Sequence, residues 1–294
     1  MILLLAVLGI LGVSASGPIM AATDAPALTI AFWRNALGAA TMAAPVLLRN
    51  RSAVRNLTGQ ELKWTATAAI ALALHFACFV TSVKLTSVAG ATALVCLQAA
   101  WIALFQWVRG RRPARGIILG LGISLLGVVA ITGFDIGVSG TALAGDLLAL
   151  AGGALAAIYT LAGSKARKSM STTLYAGLCY SIASLLLLAL CLVAGQPLVS
   201  LQPKAWWGIL GVTVAAQIIG HTIFNHLLAT ISPLVVSMMI LLEIPGAALL
   251  AGWFLGETLP GGTYAGLALI IAGLAVVVLQ QGRGGFRTTK GANK

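Results

Sequence analysis

Two histidines and one glutamate stand where ionisable side chains are costly. His75, His221 and Glu243 each lie near the middle of a long apolar run. A charged group at the centre of a bilayer costs about 2.5–3.5 kcal/mol on insertion scales, so such residues turn to a cavity or to a partner. Gln217, His221 and Asn225 are spaced four apart, which puts them on one face of an α-helix. That polar stripe is expected to face a bundle interior, as a substrate or proton site or as hydrogen bonding between helices. Glu243 is the one acid at its depth. It suits proton coupling, or a neutral carboxyl that caps backbone freed by Pro245. Gln98 sits at a similar depth and can complete the same layer. Trp101 and Tyr159 are deep aromatics that can stack on a substrate or fill the core.

Other residues read as structural or gating. Arg34 lies about two turns into an apolar run, where it can snorkel to the outer surface or meet a substrate carboxylate. Asp146 opens a run and reads as a helix N-terminal charge. Gly17 and Pro18 should bend the first run. Glu257 reads as a loop or cap residue, and Trp64, Trp206 and Trp207 as interfacial anchors.

The elements that carry these groups follow from composition. Of 294 residues, 60% are hydrophobic and 8% charged, against about 25% charged in a soluble domain. Ten apolar segments reach or approach the ~20 residues that span a bilayer: 2–20, 28–48, 64–83, 89–108, 116–133, 142–162, 173–194, 206–228, 233–255 and 263–281. Backbone in lipid must pair internally, so these are expected to be helices. The first lacks a basic leader and is long enough to span, so it is expected to stay on the chain rather than be cleaved.

Charge orients the spans. The net charge is +12, and the basic residues fall in short connectors, which favours anionic headgroups over nucleic acid. With ten spans and both termini cytoplasmic, fifteen Lys and Arg lie inside and only Lys84 and Lys204 outside. The tail 282–294 is basic and polar. Cys78, Cys96, Cys179 and Cys191 all lie in apolar runs without a CxxC pair, so neither a metal site nor a disulfide framework is expected. No cofactor is implied, and a P-loop is absent from the sequence.

The chain also repeats itself. At an offset of 146, Gly17 falls on Gly163, His75 on His221, Trp107 on Trp253, Gly110 on Gly256, Gly120 on Gly266 and Gly127 on Gly273. Five spans per repeat make the halves enter the membrane in opposite senses. The expected fold is an all-α integral membrane protein, ten helices as two inverted five-helix repeats (1–133 and 142–281), of the kind secondary transporters use.

The second repeat carries Leu242-Glu243-Ile244-Pro245, then Trp253-Phe254-Leu255-Gly256-Glu257, then Gly266 and Gly273. Gly145-Asp146-Leu147-Leu148 and Phe32-Trp33-Arg34-Asn35 add two further segments. Together these resemble the EamA family of the drug/metabolite transporter superfamily. In the first repeat the matching positions read Leu97, Ala99 and Gly110-Arg111, so a role for a first-repeat Glu does not carry over. The resemblance implies alternating access and export of amino acids or other small metabolites; mid-membrane Glu243 and the paired histidines make protons a candidate coupling ion, and the expected location is the inner membrane. It sets neither substrate nor oligomeric state. A membrane enzyme acting on lipid-linked substrates and a non-transporting scaffold are the competing readings. No HExxH or GxSxG constellation favours the enzyme.

Overall fold

The computed structural model describes residues 1–49, 51–110, 113–133, 140–256 and 261–284. Among them there are helices and connectors and no strand. Glu257, Arg111, Arg112 and the tail beyond residue 284 lie outside the described residues. The first half comprises α1 (Ile2–Ser14), α2 (Ser16–Ala22), α3 (Ala27–Arg49), α4 (Arg51–Arg55), α5 (Gly59–Leu85), α6 (Val88–Val95), α7 (Gln98–Val108) and α8 (Arg115–Gly133). The second comprises α9 (Gly140–Ala166), α10 (Thr172–Val193), α11 (Pro203–Val212), a π-helical segment (Thr213–His221), α12 (Thr222–Leu227), α13 (Pro233–Ile240), α14 (Glu243–Leu255) and α15 (Gly261–Gly284).

Seven helical runs are long and apolar enough to cross a membrane: Ile2–Ala22, Gly59–Leu85, Val88–Val108, Gly140–Ala166, Thr172–Val193, Pro203–Leu227 and Pro233–Leu255. Arg115–Ala130 and Tyr264–Gly273 are shorter apolar stretches. Large apolar side chains such as Leu119, Leu192, Trp253 and Phe254 point outward. Glycines such as Gly12, Gly127, Gly153 and Gly273 sit where helices pack tightly, as expected where close backbone approach replaces a water-driven core.

The internal offset extends to the breaks in the helices. Shifting α6 and α7 by 146 residues gives 234–241 and 244–254, against α13 at Pro233–Ile240 and α14 at Glu243–Leu255. Both halves therefore carry one interrupted helix at the same place. In the second half Pro245 has no N–H for the Leu241 carbonyl, and the helix breaks at Leu241–Leu242. In the first half Ala99 occupies the proline position, yet the chain still turns at Cys96–Leu97, with the Ala99 N–H donating to the Cys96 carbonyl three residues back. The first run breaks as well: α1 ends at Ser14, four residues before Pro18, and α2 starts at Ser16.

Helix pairing links the halves reciprocally. α5 packs along α9 and α1 along the π segment, and these are equivalent pairs under the offset; α3 packs on α10 and α8 on α15, each on its own equivalent. The last pair shows the relation in detail. A Cβ on Gly127 would come within 2.5 Å of the Gly266 carbonyl oxygen and 2.9 Å of Ile270. A Cβ on Gly273 would strike Gly120 and Ser124, the 146-offset equivalents of those two contacts. Ser124 Oγ itself donates to the Ile270 carbonyl, its own equivalent position. Residue numbers rise on one helix as they fall on the other, so α8 and α15 run antiparallel. Contacts in which i meets j and the equivalent of j meets the equivalent of i are those a two-fold axis generates.

One expectation at a helix end is corrected. α9 begins at Gly140, so Asp146 lies beyond its first turn, where the N-terminal dipole has largely faded. Backbone helicity is already established upstream of Asp146, through Thr141, Ala142 and Leu143.

Gly127→Ala and Gly273→Ala should each lower the melting temperature of the purified protein in detergent. Overpacking against backbone costs about 1–3 kcal/mol, more than the ~1 kcal/mol that alanine gains over glycine in a helix. Gly122→Ala, on the same helix with open space around its Cβ position, should hold or raise it.

Candidate functional site

Where the broken helices meet, a cavity of about 50 Å³ lies between the halves. That is room for a few water molecules rather than a metabolite. Its wall mixes apolar side chains (Phe76, Phe79, Val95, Phe224) with Ser16, His75, Gln98, Tyr159, Thr160, His221, Asn225 and Glu243. Six of the eight residues expected from sequence to bind or couple therefore share one cavity: His75, Gln98, Tyr159, His221, Asn225 and Glu243.

The two histidines face each other with ring centroids 6.5 Å apart. They occupy equivalent positions, so the local two-fold passes between them. His75 Nδ1 lies 3.0 Å from the Gly152 carbonyl. A carbonyl only accepts, so Nδ1 carries a proton. Phe76 and Tyr159 box His221 at 5.2 and 6.2 Å, and Phe79 stacks on His75 at 5.9 Å. Glu243 opens α14 directly after the break, so its carboxyl sits at a half-helix N-terminus. Cys96, at the opposite break, lies with its Sγ 4.0 Å from the Glu243 carboxyl and 3.7 Å from the Ile240 carbonyl.

A hydrogen-bonded network backs this wall. Tyr159 Oη donates to Asn225 Oδ1 at 2.7 Å, and Asn225 Nδ2 donates to Tyr180 Oη at 3.2 Å. Tyr180 Oη pairs with Thr222 Oγ1, which donates to the Gln217 carbonyl. Behind Phe76 and Ser16 sits Arg34, 0% exposed. Its Nε donates to Gln217 Oε1 at 3.1 Å, its Nη1 reaches Ser16 Oγ and Met20 Sδ at 3.4 Å, and its guanidinium lies 4.0 Å over the Phe76 ring. Among the described residues Arg34 Nη2 has no hydrogen-bond partner.

Three expectations change. Arg34 does not snorkel, because α3 packs against α10 and the π segment and turns that face inward. Gln217 leaves the stripe: the segment 213–221 is π-helical, and its i→i+5 pattern rotates Gln217 away from His221 and Asn225. Gln217 instead bridges Arg34 and Asn35, its Nε2 donating to Asn35 Oδ1 at 3.2 Å. Trp101, one turn past Gln98, faces α8 across a lateral apolar groove and does not line the cavity.

Some residues of this region were not singled out from sequence. Ser16, Phe76 and Tyr180 carry no signal of position in an apolar run. Arg167 looked like one more connector cation. It is buried, and it donates to the carbonyls of Asn225 and Met170 and to Thr172 Oγ1, closing one end of the network. Gly17 is a close-packing site, where a Cβ would press on Val88 at 2.8 Å.

The EamA-like transporter family matches residues 1–133 and 143–279, both repeats and nearly the whole chain. The chain belongs to that family. The EamA-like protein is thus an integral membrane protein of a drug/metabolite-type transporter family. No curated protein sequence matches it significantly. A crystal structure of another protein superposes with a TM-score of 0.74 over 95% of this chain and 97% of that one, at 21% identity, so the two share a fold.

Gln217→Leu strips a partner from both Arg34 and Asn35 and should destabilise the EamA-like protein by about 1–3 kcal/mol, the cost of buried groups left unpaired. Tyr159→Phe strands one buried acceptor, Asn225 Oδ1, where Gln217→Leu strands two groups, so it should cost less, about 1 kcal/mol. Thermal unfolding of the two variants in detergent checks that order.

Proposed function

We propose that the protein is a secondary transporter that carries a small metabolite through the cavity between His75 and His221 by alternating access. In this reading ten helices span the bilayer as two inverted repeats, with α3, α8 and α15 completing the seven long apolar runs, and both termini lie in the cytoplasm of an inner-membrane protein. The reading is carried by one observation: His75 and His221, equivalent in the two halves, meet at the wall of a cavity of mixed lining. A two-fold relation between halves of opposite sense supplies two end states of similar packing, one open to each side.

A cavity of about 50 Å³ fits an occluded conformation between those states. Its mixed lining suits a solute with a polar head and an apolar portion, such as an amino acid. Export is the direction that the family resemblance favours. Glu243 at a helix break beside two histidines suits coupling to protons. A membrane enzyme would be distinguished by chemical change in the solute it handles.

Purified protein in liposomes, screened against metabolite mixtures, tests the reading. Wild type should move at least one solute unaltered, and an imposed pH gradient should drive its accumulation. His221→Ala and Glu243→Gln should each slow the initial rate about tenfold or more, and Trp253→Ala, exposed on the outer face, should not. Indifference to the gradient would remove proton coupling and leave transport standing; equal rates in all variants would remove the site.

A further inference from the structure

A second pocket lies at the end of the bundle where α5 begins and α9 ends. It has a volume of about 370 Å³ and is lined in part by Glu61, Trp64, Lys165, Lys168 and Ser169. Lys165 is held in place by aromatic contact, its Nζ 3.6 Å from the centre of the Trp64 ring. Glu61 is engaged elsewhere. Its carboxylate accepts from the Thr58 N–H and hydroxyl at 2.8 Å, completing a capping box, and from Ser169 Oγ at 2.5 Å. Two lysines face this one carboxylate across the pocket, which therefore carries a net positive charge.

Trp64 and Lys165 also line a neighbouring cleft of about 90 Å³. This cleft runs down the outside of the bundle past Phe105, Leu161 and Ile158, with Arg109 at its wall. Ile158 is 36% exposed on that face. One continuous surface thus passes from a cationic pocket, over an interfacial tryptophan, into an apolar cleft. A free anion would have no use for the cleft, and a neutral lipid none for three cations.

We propose that this surface binds one anionic glycerophospholipid from the surrounding leaflet, its phosphate between Lys165 and Lys168, with Arg109 beside the headgroup and an acyl chain along Phe105, Leu161 and Ile158. The chemistry is that of basic pockets between helices at a membrane–water boundary, where an anionic headgroup meets fixed cations and a tryptophan marks the interface. The site is separate from the central cavity, and its occupancy needs no transport.

Native mass spectrometry of the full chain in detergent, titrated with phosphatidylglycerol, phosphatidylcholine or inorganic phosphate, tests this. Phosphatidylglycerol should be retained and phosphatidylcholine lost. The double variant Lys165→Gln, Lys168→Gln should bind phosphatidylglycerol about twenty-five-fold more weakly, from about fivefold per lysine; Lys204→Gln, at the start of α11, should bind as wild type does. Leu161→Trp, which fills the cleft and keeps both lysines, should also weaken binding. Equal retention of the two lipids, undiminished binding by the double variant or by Leu161→Trp, or displacement of the lipid by inorganic phosphate would each overturn the proposal.

Discussion

A guanidinium buried among membrane helices must be solvated by protein, because neither water nor lipid will do it. Arg34 meets most of that demand through Gln217, Ser16, Met20 and the face of Phe76, and its Nη2 alone is left unpaired among the described residues. Those four partners come from the π segment, α2 and α5, while Arg34 itself stands on α3. Satisfying one side chain therefore ties together elements from both halves. The same rule assembles Tyr159, Asn225, Tyr180 and Thr222 into a chain of hydrogen bonds. With these groups behind the wall, the histidines and Glu243 are left lining the cavity.

The scaffold is symmetric and the chemistry set into it is not. Backbone breaks, helix pairs and glycine contacts recur at an offset of 146. At the same offset Arg34 answers to Tyr180, Glu243 to Leu97, Gln217 to Ala71 and Asn225 to Phe79, whereas His75 answers to His221. Two states that exchange the roles of the halves would have similar packing energies. Charge would be displaced differently in each, since the cation and the acid each have a single copy. That combination gives a protein with near-balanced states a handle by which a bound solute or proton biases them.

The repeat, the long apolar helices and most of the cavity's polar residues were legible from the sequence because their signals are strong. Apolar runs of bilayer length leave few alternatives, and a rare residue such as histidine recurring at the offset marks equivalent positions. Pro245 and Pro18 announced breaks, since proline cannot serve the carbonyl four residues back. The break at Cys96–Leu97 was hidden, because Ala99 in place of proline leaves no mark in hydropathy. The π segment was hidden for the same reason, and it is what carried Gln217 off the face shared by His221 and Asn225. Arg34 and Arg167 show the complementary limit. A lone cation near a span end reads alike whether it reaches water or is buried, and only the packing of its helix decides.

The central claim is that the cavity between the halves is reached from each side of the membrane in turn. Native Cys96 lines it, and the other three cysteines, Cys78, Cys179 and Cys191, can be replaced by alanine. Alkylation of Cys96 by a membrane-impermeant maleimide, in right-side-out and in inverted vesicles, measures that access directly. The account predicts labelling from both sides, slowed in each case by a transported solute. Labelling confined to one side whatever the solute, or achieved only by reagents that dissolve in lipid, would contradict it.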